Sequence, residues 1–175
     1  MRHLLILTAL LALTACGRPQ PLPMPPPPST TTPTPDLTIR LGTVDGAMGL
    51  RTLGIQLTNE TTTPTQINGY PDIRVLDDTF HPLPLTIGHG TNGVATIDDF
   101  DTPPQPITLH PGDTVHAALL WRNLVTQTDR KATLGTYLDI APTPGAKRHI
   151  TQPQGGIDLG NTTTLGVSAW AKPTP

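Results

Sequence analysis

Short runs in which apolar residues alternate with polar or small ones cover most of the chain after Pro35. In the first run, a single residue separates Leu37 from Ile39 and Ile39 from Leu41. The same period of two recurs at residues 53–57, 73–75, 83–87, 107–109, 115–121, 134–140 and 165–169. This alternation predicts half-buried β-strands, and no segment keeps a helical period for three turns. The sequence therefore predicts an all-β domain.

Turn residues separate these runs. The segment His110-Pro111-Gly112-Asp113 has proline at the second position of a turn and glycine at the third, which favours a tight turn. Pro82 and Pro84 confine the run at residues 83–87 to a sheet edge, because proline has no N–H to donate. Residues 88–106 lack apolar periodicity and are expected to form a long loop. About seven to nine short strands predict an immunoglobulin-like antiparallel β-sandwich with Greek-key connections.

The first fifteen residues have the features of a bacterial lipoprotein signal peptide. Arg2 supplies a positive charge, and the apolar run at residues 4–13 is much shorter than the roughly 20 residues that span a membrane. Small residues at positions 14–15 precede Cys16, as they do in a lipobox. We expect residues 1–15 to be cleaved and Cys16 to carry the lipid that anchors the exported protein to the outer face of the bacterial cell membrane. An ordinary secretory signal peptide is the alternative.

Residues 16–35 are rich in proline and threonine and are expected to form a disordered linker. Proline runs favour an extended helix of about 3.1 Å per residue, so this tract reaches at most roughly 60 Å. A plain spacer, a sugar-decorated stalk and a ligand for proline-binding domains are the alternatives. The β-sandwich domain is expected at residues 36–172. Cys16 is the only cysteine, so the domain has no internal disulfide.

The charge and the motifs of the chain exclude several functions. Eleven Lys and Arg residues face 13 Asp and Glu residues without a basic stripe, which argues against nucleic acid as a partner. Ser168 is the only serine of the domain and has no G-x-S-x-G motif around it, and no phosphate-binding glycine loop is present. We therefore predict that the protein is not an enzyme and has no cofactor.

Two groups of residues are weak candidates for a metal site. Asp98, Asp99 and Asp101 place three carboxylates within four residues, and Ca²⁺ prefers oxygen ligands. The segment lacks the glycine and the distal glutamate of an EF-hand, so a solvated acidic loop is the alternative. His110 and His116 flank the Pro-Gly turn and are expected to approach each other across a hairpin, where copper or zinc would bind.

Gly69, Tyr70 and Pro71 are weak candidates for a binding loop between two strands. Gly69 permits an unusual backbone conformation, and Pro71 fixes its own φ angle. Asp77 and Asp78 follow the next strand, but neighbouring residues of a strand point to opposite faces. They are therefore expected to form a turn and not a catalytic pair.

The chain resembles lipoproteins, mostly actinobacterial, that carry the domain of unknown function DUF4232. The resemblance rests on Leu57-Thr58-Asn59, on Gly69-Tyr70-Pro71 with the strand at residues 73–77, on residues 107–121 ending in tryptophan, and on "LDIAPTPG" at residues 138–145. It covers roughly Asp36 to Ala171 and implies a β-sandwich on a lipid tether. No activity is implied, because none is established for the family.

One departure concerns cysteine. Members of that family usually have cysteines, one of them just before the Gly-Tyr-Pro step, where this chain has Thr65. Loss of a disulfide from a small secreted domain often costs about 2–5 kcal/mol, so other contacts are expected to compensate.

These observations together predict a membrane-anchored lipoprotein of the cell envelope with a non-catalytic binding or structural module. Its expected partners are the membrane, through the lipid, and an envelope protein or a cell-wall component. A metal-binding envelope protein and an envelope enzyme are the two alternatives.

Overall fold

The computed structural model describes residues 36–126, 128–129 and 131–173, so the predicted signal peptide and the linker with Cys16 lie outside the described residues. The described residues contain twelve β-strands and no helix. The strands are β1 (Leu37–Ala47), β2 (Leu50–Asn59), β3 (Thr65–Ile67), β4 (Asp72–Leu76), β5 (Thr86–His89), β6 (Ile107–Leu109), β7 (Thr114–Arg122), β8 (Thr133–Gly135), β9 (Tyr137–Ala141), β10 (His149–Thr151), β11 (Ile157–Gly160) and β12 (Thr164–Val167). The all-β prediction is confirmed.

The largest sheet has five strands in the order β1–β2–β7–β12–β5. β2 pairs with β7 without a register shift, from Leu50 opposite Arg122 to Thr58 opposite Thr114. β12 pairs antiparallel with β7 and parallel with β5. The parallel pair departs from the expected antiparallel sandwich. β5 and β12 are far apart in sequence, so no hairpin turn fixes their relative direction.

The remaining strands form a three-stranded sheet, β10–β9–β4, and two short pairs, β3–β6 and β8–β11. Their apolar side chains join those of the five-stranded sheet in one core. From β2, the residues Leu53, Ile55 and Leu57 are fully buried, as the period of two predicts. The other sheets contribute Ile73, Val75, Leu138, Ile140, Ile157 and Leu159. This arrangement is consistent with a β-sandwich, and the immunoglobulin-like Greek key stays a prediction.

Trp121 and Trp170 close the core at two points. The Trp121 indole is fully buried and donates to the Asp158 carbonyl at 2.8 Å. The Trp170 indole is 2% exposed and donates to the Pro142 carbonyl at 2.7 Å. Both bulky rings are therefore buried with their only polar atom satisfied, which is the usual condition for a buried tryptophan.

The long loop between β5 and β6, residues 90–106, packs against the outer face of the five-stranded sheet, and we call it the covering loop. Its Asn92 side chain donates to the Leu165 carbonyl at 2.8 Å. The Arg122 guanidinium donates to the Val94 carbonyl at 2.9 Å. Leu120 of β7 points to the face of the sheet opposite the core side chains of Leu119 and Trp121. It is nevertheless fully buried. The loop is therefore a fixed cover on one side of the sheet.

The predicted Pro-Gly turn is present, but it joins two sheets and not two strands of a hairpin. The Asp113 N–H donates to the His110 carbonyl at 2.9 Å, and Gly112 has a φ of 86°. β6 before the turn pairs with β3, whereas β7 after it pairs with β2. The expected hairpin across this turn is therefore wrong. The turn chemistry is local, but the choice of partner strand depends on burial of β6 against the core.

The Asn59 side chain links the end of β2 to neighbouring segments close to Thr65. Its side chain is fully buried, and its Nδ2 donates to the carbonyls of Leu109 and Thr63, each at 2.9 Å. Its Oδ1 accepts hydrogen bonds from the Thr61 N–H at 3.0 Å and from the Thr61 hydroxyl at 2.7 Å. Thr65 pairs with Leu109 in the β3–β6 ladder. The buried Asn59 amide thus links the end of β2 to β6, the strand that pairs with β3 at Thr65.

Candidate functional site

The acidic residues at positions 98–101 do not converge on one point. Asp98 and Asp99 are exposed. The Asp101 carboxylate accepts hydrogen bonds from the Thr91 N–H at 2.6 Å and from the Thr91 hydroxyl at 3.0 Å. This contact ties the two ends of the covering loop together. Among the described residues, no group of three or more His, Cys, Asp or Glu side chains is arranged to hold a metal ion.

His110 and His116 have separate partners. The His110 ring and its N–H both contact the Asp113 carboxylate, at 3.3 and 2.9 Å. Hydrogen bonds to that N–H and to the ring lower the pKa of Asp113. The backbone of His116 instead exchanges two hydrogen bonds with Ala171, both at 2.8 Å. Because β6 and β7 do not pair, the expected approach of the two rings across a hairpin has no structural basis.

The Gly69-Tyr70-Pro71 segment closes one end of the core. Gly69 has a φ of 95°, and its carbonyl accepts a hydrogen bond from the Trp170 N–H at 3.1 Å. Pro71 is buried. The Tyr70 ring is half-buried and stacks on the ring of His89, with 3.8 Å between centroids and an angle of 5° between planes. No sequence pattern indicated His89 as the partner of Tyr70. The segment is part of the connection between β3 and β4.

Asp77 forms a turn, as the sequence predicted. Its carboxylate accepts hydrogen bonds from the His81 N–H at 2.9 Å and from the N–H and hydroxyl of Thr79, both at 2.8 Å. These bonds, that of His81 first, lower the pKa of Asp77. Asp78 is exposed.

Sequence reasoning missed an ion-pair cluster around Arg148. The guanidinium donates to the Asp139 carboxylate at 2.7 Å, to the Asp72 carboxylate at 2.6 Å, and to the backbone carbonyls of both residues. Burial lowers the pKa of Arg148, but the hydrogen bonds to Asp139 and Asp72 outweigh burial and raise it. The cluster links β4, which contains Asp72, to β9, which contains Asp139. Asp72 and Asp139 are 67 positions apart in the sequence, so no local spacing revealed it.

A groove of about 780 Å³ lies between the covering loop and the C-terminal segment. One wall contains Phe100, Pro103 and Pro106, and the other contains Ala171 and Pro173. We call this surface the Pro-Ala groove. Its volume is within the range of roughly 300–1,000 Å³ that is common for binding sites.

The floor of the Pro-Ala groove consists mainly of small residues. Ala118 of β7 and Ala169 lie there beside Ser168. The Ser168 hydroxyl accepts a hydrogen bond from the Ala118 N–H at 2.9 Å, so it is engaged with the backbone. Small side chains on the floor leave room above them for a ligand.

Three ionisable side chains line the Pro-Ala groove: Asp99, His116 and Lys172. All three are exposed. Two of the predicted metal candidates, Asp99 and His116, thus line the same groove, in a setting that is mostly apolar. Such a surface binds apolar groups through its floor and walls and polar groups at its margin.

Comparisons with known proteins identify the domain but no function. A family model described as a domain of unknown function, DUF4232, matches residues 32–171. Neither the curated proteins nor the solved structures include a match to this chain.

Proposed function

The chain belongs to the DUF4232 family, and on that premise we propose that it is a non-catalytic binding module displayed on the bacterial cell envelope. The apolar run at residues 4–13 and Cys16 support export and lipid attachment. The proline-rich tract that follows supports a spacer between lipid and domain. In the part of the chain that the structure describes, no helix has the length and apolarity needed to cross a membrane.

The Pro-Ala groove is the observation that carries the binding function. Its walls are held in place before any ligand arrives. The Asp101 carboxylate fixes the loop wall through Thr91, and the paired backbones of His116 and Ala171 fix the other wall. A rigid site loses little conformational freedom on binding, which favours affinity.

The ligand class that fits the groove is an extended apolar peptide segment of an envelope protein. Proline and phenylalanine side chains form one wall of the groove, and they offer an apolar surface to such a segment. Asp99 and Lys172 carry opposite charges and lie at the same surface, so they suit the mixed polar groups of a peptide better than a ligand of one charge.

Site-specific photocrosslinking in intact cells tests the groove. A photoreactive residue at Gln105, which lines the groove, is expected to capture a protein partner. The same residue at Gln154, which is exposed outside the groove, is the matched control. Ala118→Tyr fills the groove and is expected to abolish the product at Gln105 while leaving thermal unfolding unchanged. Equal products at both positions, products that contain only cell-wall glycan, or products that persist in Ala118→Tyr contradict the proposal.

Membrane fractionation tests the anchor separately. Cys16→Ala is expected to shift most of the protein from the membrane to the soluble fraction and to abolish incorporation of labelled fatty acid. Retention in the membrane equal to that of the wild type contradicts lipid anchoring at this residue.

A further inference from the structure

β1 is a long free sheet edge that one irregularity between Leu41 and Val44 interrupts. It has eleven residues, Leu37–Ala47, and pairs only with β2 among the described strands. It contains no proline and no lysine. By contrast, β5 has four residues, and the free side of β4 is covered where Pro82 bridges to Leu76 and the Leu83 N–H donates to the Val75 carbonyl. A long free edge is a template for pairing with another strand.

The backbone groups of alternate residues in β1 point away from the protein. The Glu60 N–H donates to the Asp36 carbonyl at 3.2 Å, and residues of an antiparallel strand bond to alternate sides. The residues whose N–H and C=O groups therefore face the free edge are Leu37, Ile39 and Leu41.

The same argument applies after the irregularity in β1. The register shifts between Leu41 and Val44. Ala47 pairs with Leu50 across a two-residue turn, so Ala47 bonds to β2. Counting back from Ala47, the backbone groups of Gly46 and Val44 face the free edge. The Gly46 N–H donates there to the neighbouring Asp45 carboxylate at 2.7 Å, so a partner strand replaces this local hydrogen bond.

A second copy of β1 fits this edge in one antiparallel register. When Leu41 of one copy lies opposite Val44 of the other, Ile39 lies opposite Gly46, and outward backbone groups meet outward backbone groups. The bulge residues 42–43 then lie on the two-fold axis, where both strands bend alike. The arrangement is isologous, since each copy offers the same surface to the other.

The charges of β1 match in the same register. Leu41 and Val44 pack against the core, so their neighbours Arg40 and Asp45 both lie on the outer face of the sheet. One oxygen of the Asp45 carboxylate also accepts the Gly46 N–H. Arg40 of each copy lies opposite Asp45 of the other, which gives two cross-strand ion pairs. The Arg40 side chain is 68% exposed, and its contact with Glu60, at 3.9 Å, is weak. It is therefore available to a partner.

We propose that two copies of this chain associate by antiparallel pairing of their β1 strands, with Arg40 of each copy opposite Asp45 of the other. The pairing joins two five-stranded sheets into one sheet of ten strands. It also covers the half-buried side chains of Leu41 and Val44 at the seam. The occupant of the free edge is thus a second copy of the same chain, selected by two-fold charge complementarity.

A charge-exchange experiment tests the proposal with the full chain. Two copies with different tags are expressed together, the membranes are solubilised in mild detergent, and one tag is used for purification. Two wild-type copies are expected to co-purify. Arg40→Asp paired with itself places like charges opposite each other, and so does Asp45→Arg paired with itself. Each of these two combinations is expected to recover at least about tenfold less of the second copy.

The mixed combination of Arg40→Asp with Asp45→Arg is the decisive arm. Its four seam charges are again complementary, so co-purification is expected to return to the wild-type level. Equal recovery in all combinations, absence of co-purification between wild-type copies, or failure of the mixed combination to recover overturns the proposal. Both residues are exposed, so unchanged thermal unfolding of each variant is the control for folding.

Discussion

Replacement of Asn59 by alanine tests how much one buried amide contributes to the stability of a domain that has no internal disulfide. The substitution removes four hydrogen bonds made by a side chain with no exposed surface. The buried Leu109 carbonyl loses a donor at a cost of about 1–3 kcal/mol, and each of the three partly exposed bonds contributes about 0.5–1 kcal/mol. Partial relaxation of the loop at residues 60–64 offsets some of this loss. We expect Asn59→Ala to lower the free energy of unfolding by about 3 kcal/mol.

Urea unfolding measures this loss through the fluorescence of Trp121 and Trp170, which are both buried. With an m-value of roughly 1.5 kcal/mol per molar urea, the midpoint is expected to fall by about 2 M. Asn68→Ala is the matched control, because Asn68 is exposed, and it is expected to change stability by less than about 0.5 kcal/mol. A loss below about 1 kcal/mol in Asn59→Ala would refute the reasoning.

A double-mutant cycle identifies the network as the cause. Thr61→Val removes the hydroxyl that donates to the Asn59 amide, and it is expected to cost about 1 kcal/mol on its own. Because the two side chains share hydrogen bonds, the double variant is expected to lose clearly less than the sum of the single losses. Full additivity would show that the amide acts without Thr61.

Three further perturbations test other parts of the fold. Met48 is 96% exposed with a φ of 50° in the β1–β2 turn, so Met48→Asn is expected to stabilise the domain by about 0.5–1 kcal/mol, and a loss of stability would contradict that expectation. Arg148→Met removes the main ion-pair partner of the Asp139 carboxylate and is expected to lower the free energy of unfolding by about 2 kcal/mol. The exposed control Arg40→Met is expected to lower it by less than about 0.5 kcal/mol. Hydrogen bonds, that of the His81 N–H first, lower the pKa of folded Asp77, so its contribution to stability is present above the unfolded pKa, near 4, and is lost as pH falls through the folded pKa. Wild-type protein is therefore expected to lose more stability than Asp77→Asn between about pH 5 and pH 2 in urea unfolding, and parallel pH profiles would contradict this.

The sequence by itself determined the strand type and the inward faces of the long strands. Leu53, Ile55 and Leu57 are buried where their alternation places them, and so are Val115 and Trp121. The Pro-Gly turn was likewise predictable. These features depend on the geometry of a few consecutive residues, since side chains of a strand alternate between its faces whatever the strand pairs with.

Only the tertiary structure decided which strands pair and which polar residues matter. β6 pairs with β3 and not with β7, and Leu120 is buried although it lies on the outward-facing side of β7. Asp101 binds Thr91 and Arg148 joins β4 to β9, although both contacts look like ordinary surface charge in the sequence. The Pro-Ala groove also forms from three segments that are distant in the sequence, at residues 99–107, 116–118 and 168–173. Which strands pair and which residues become buried depends on how all apolar faces of the chain pack into one core. A local sequence pattern does not contain this information.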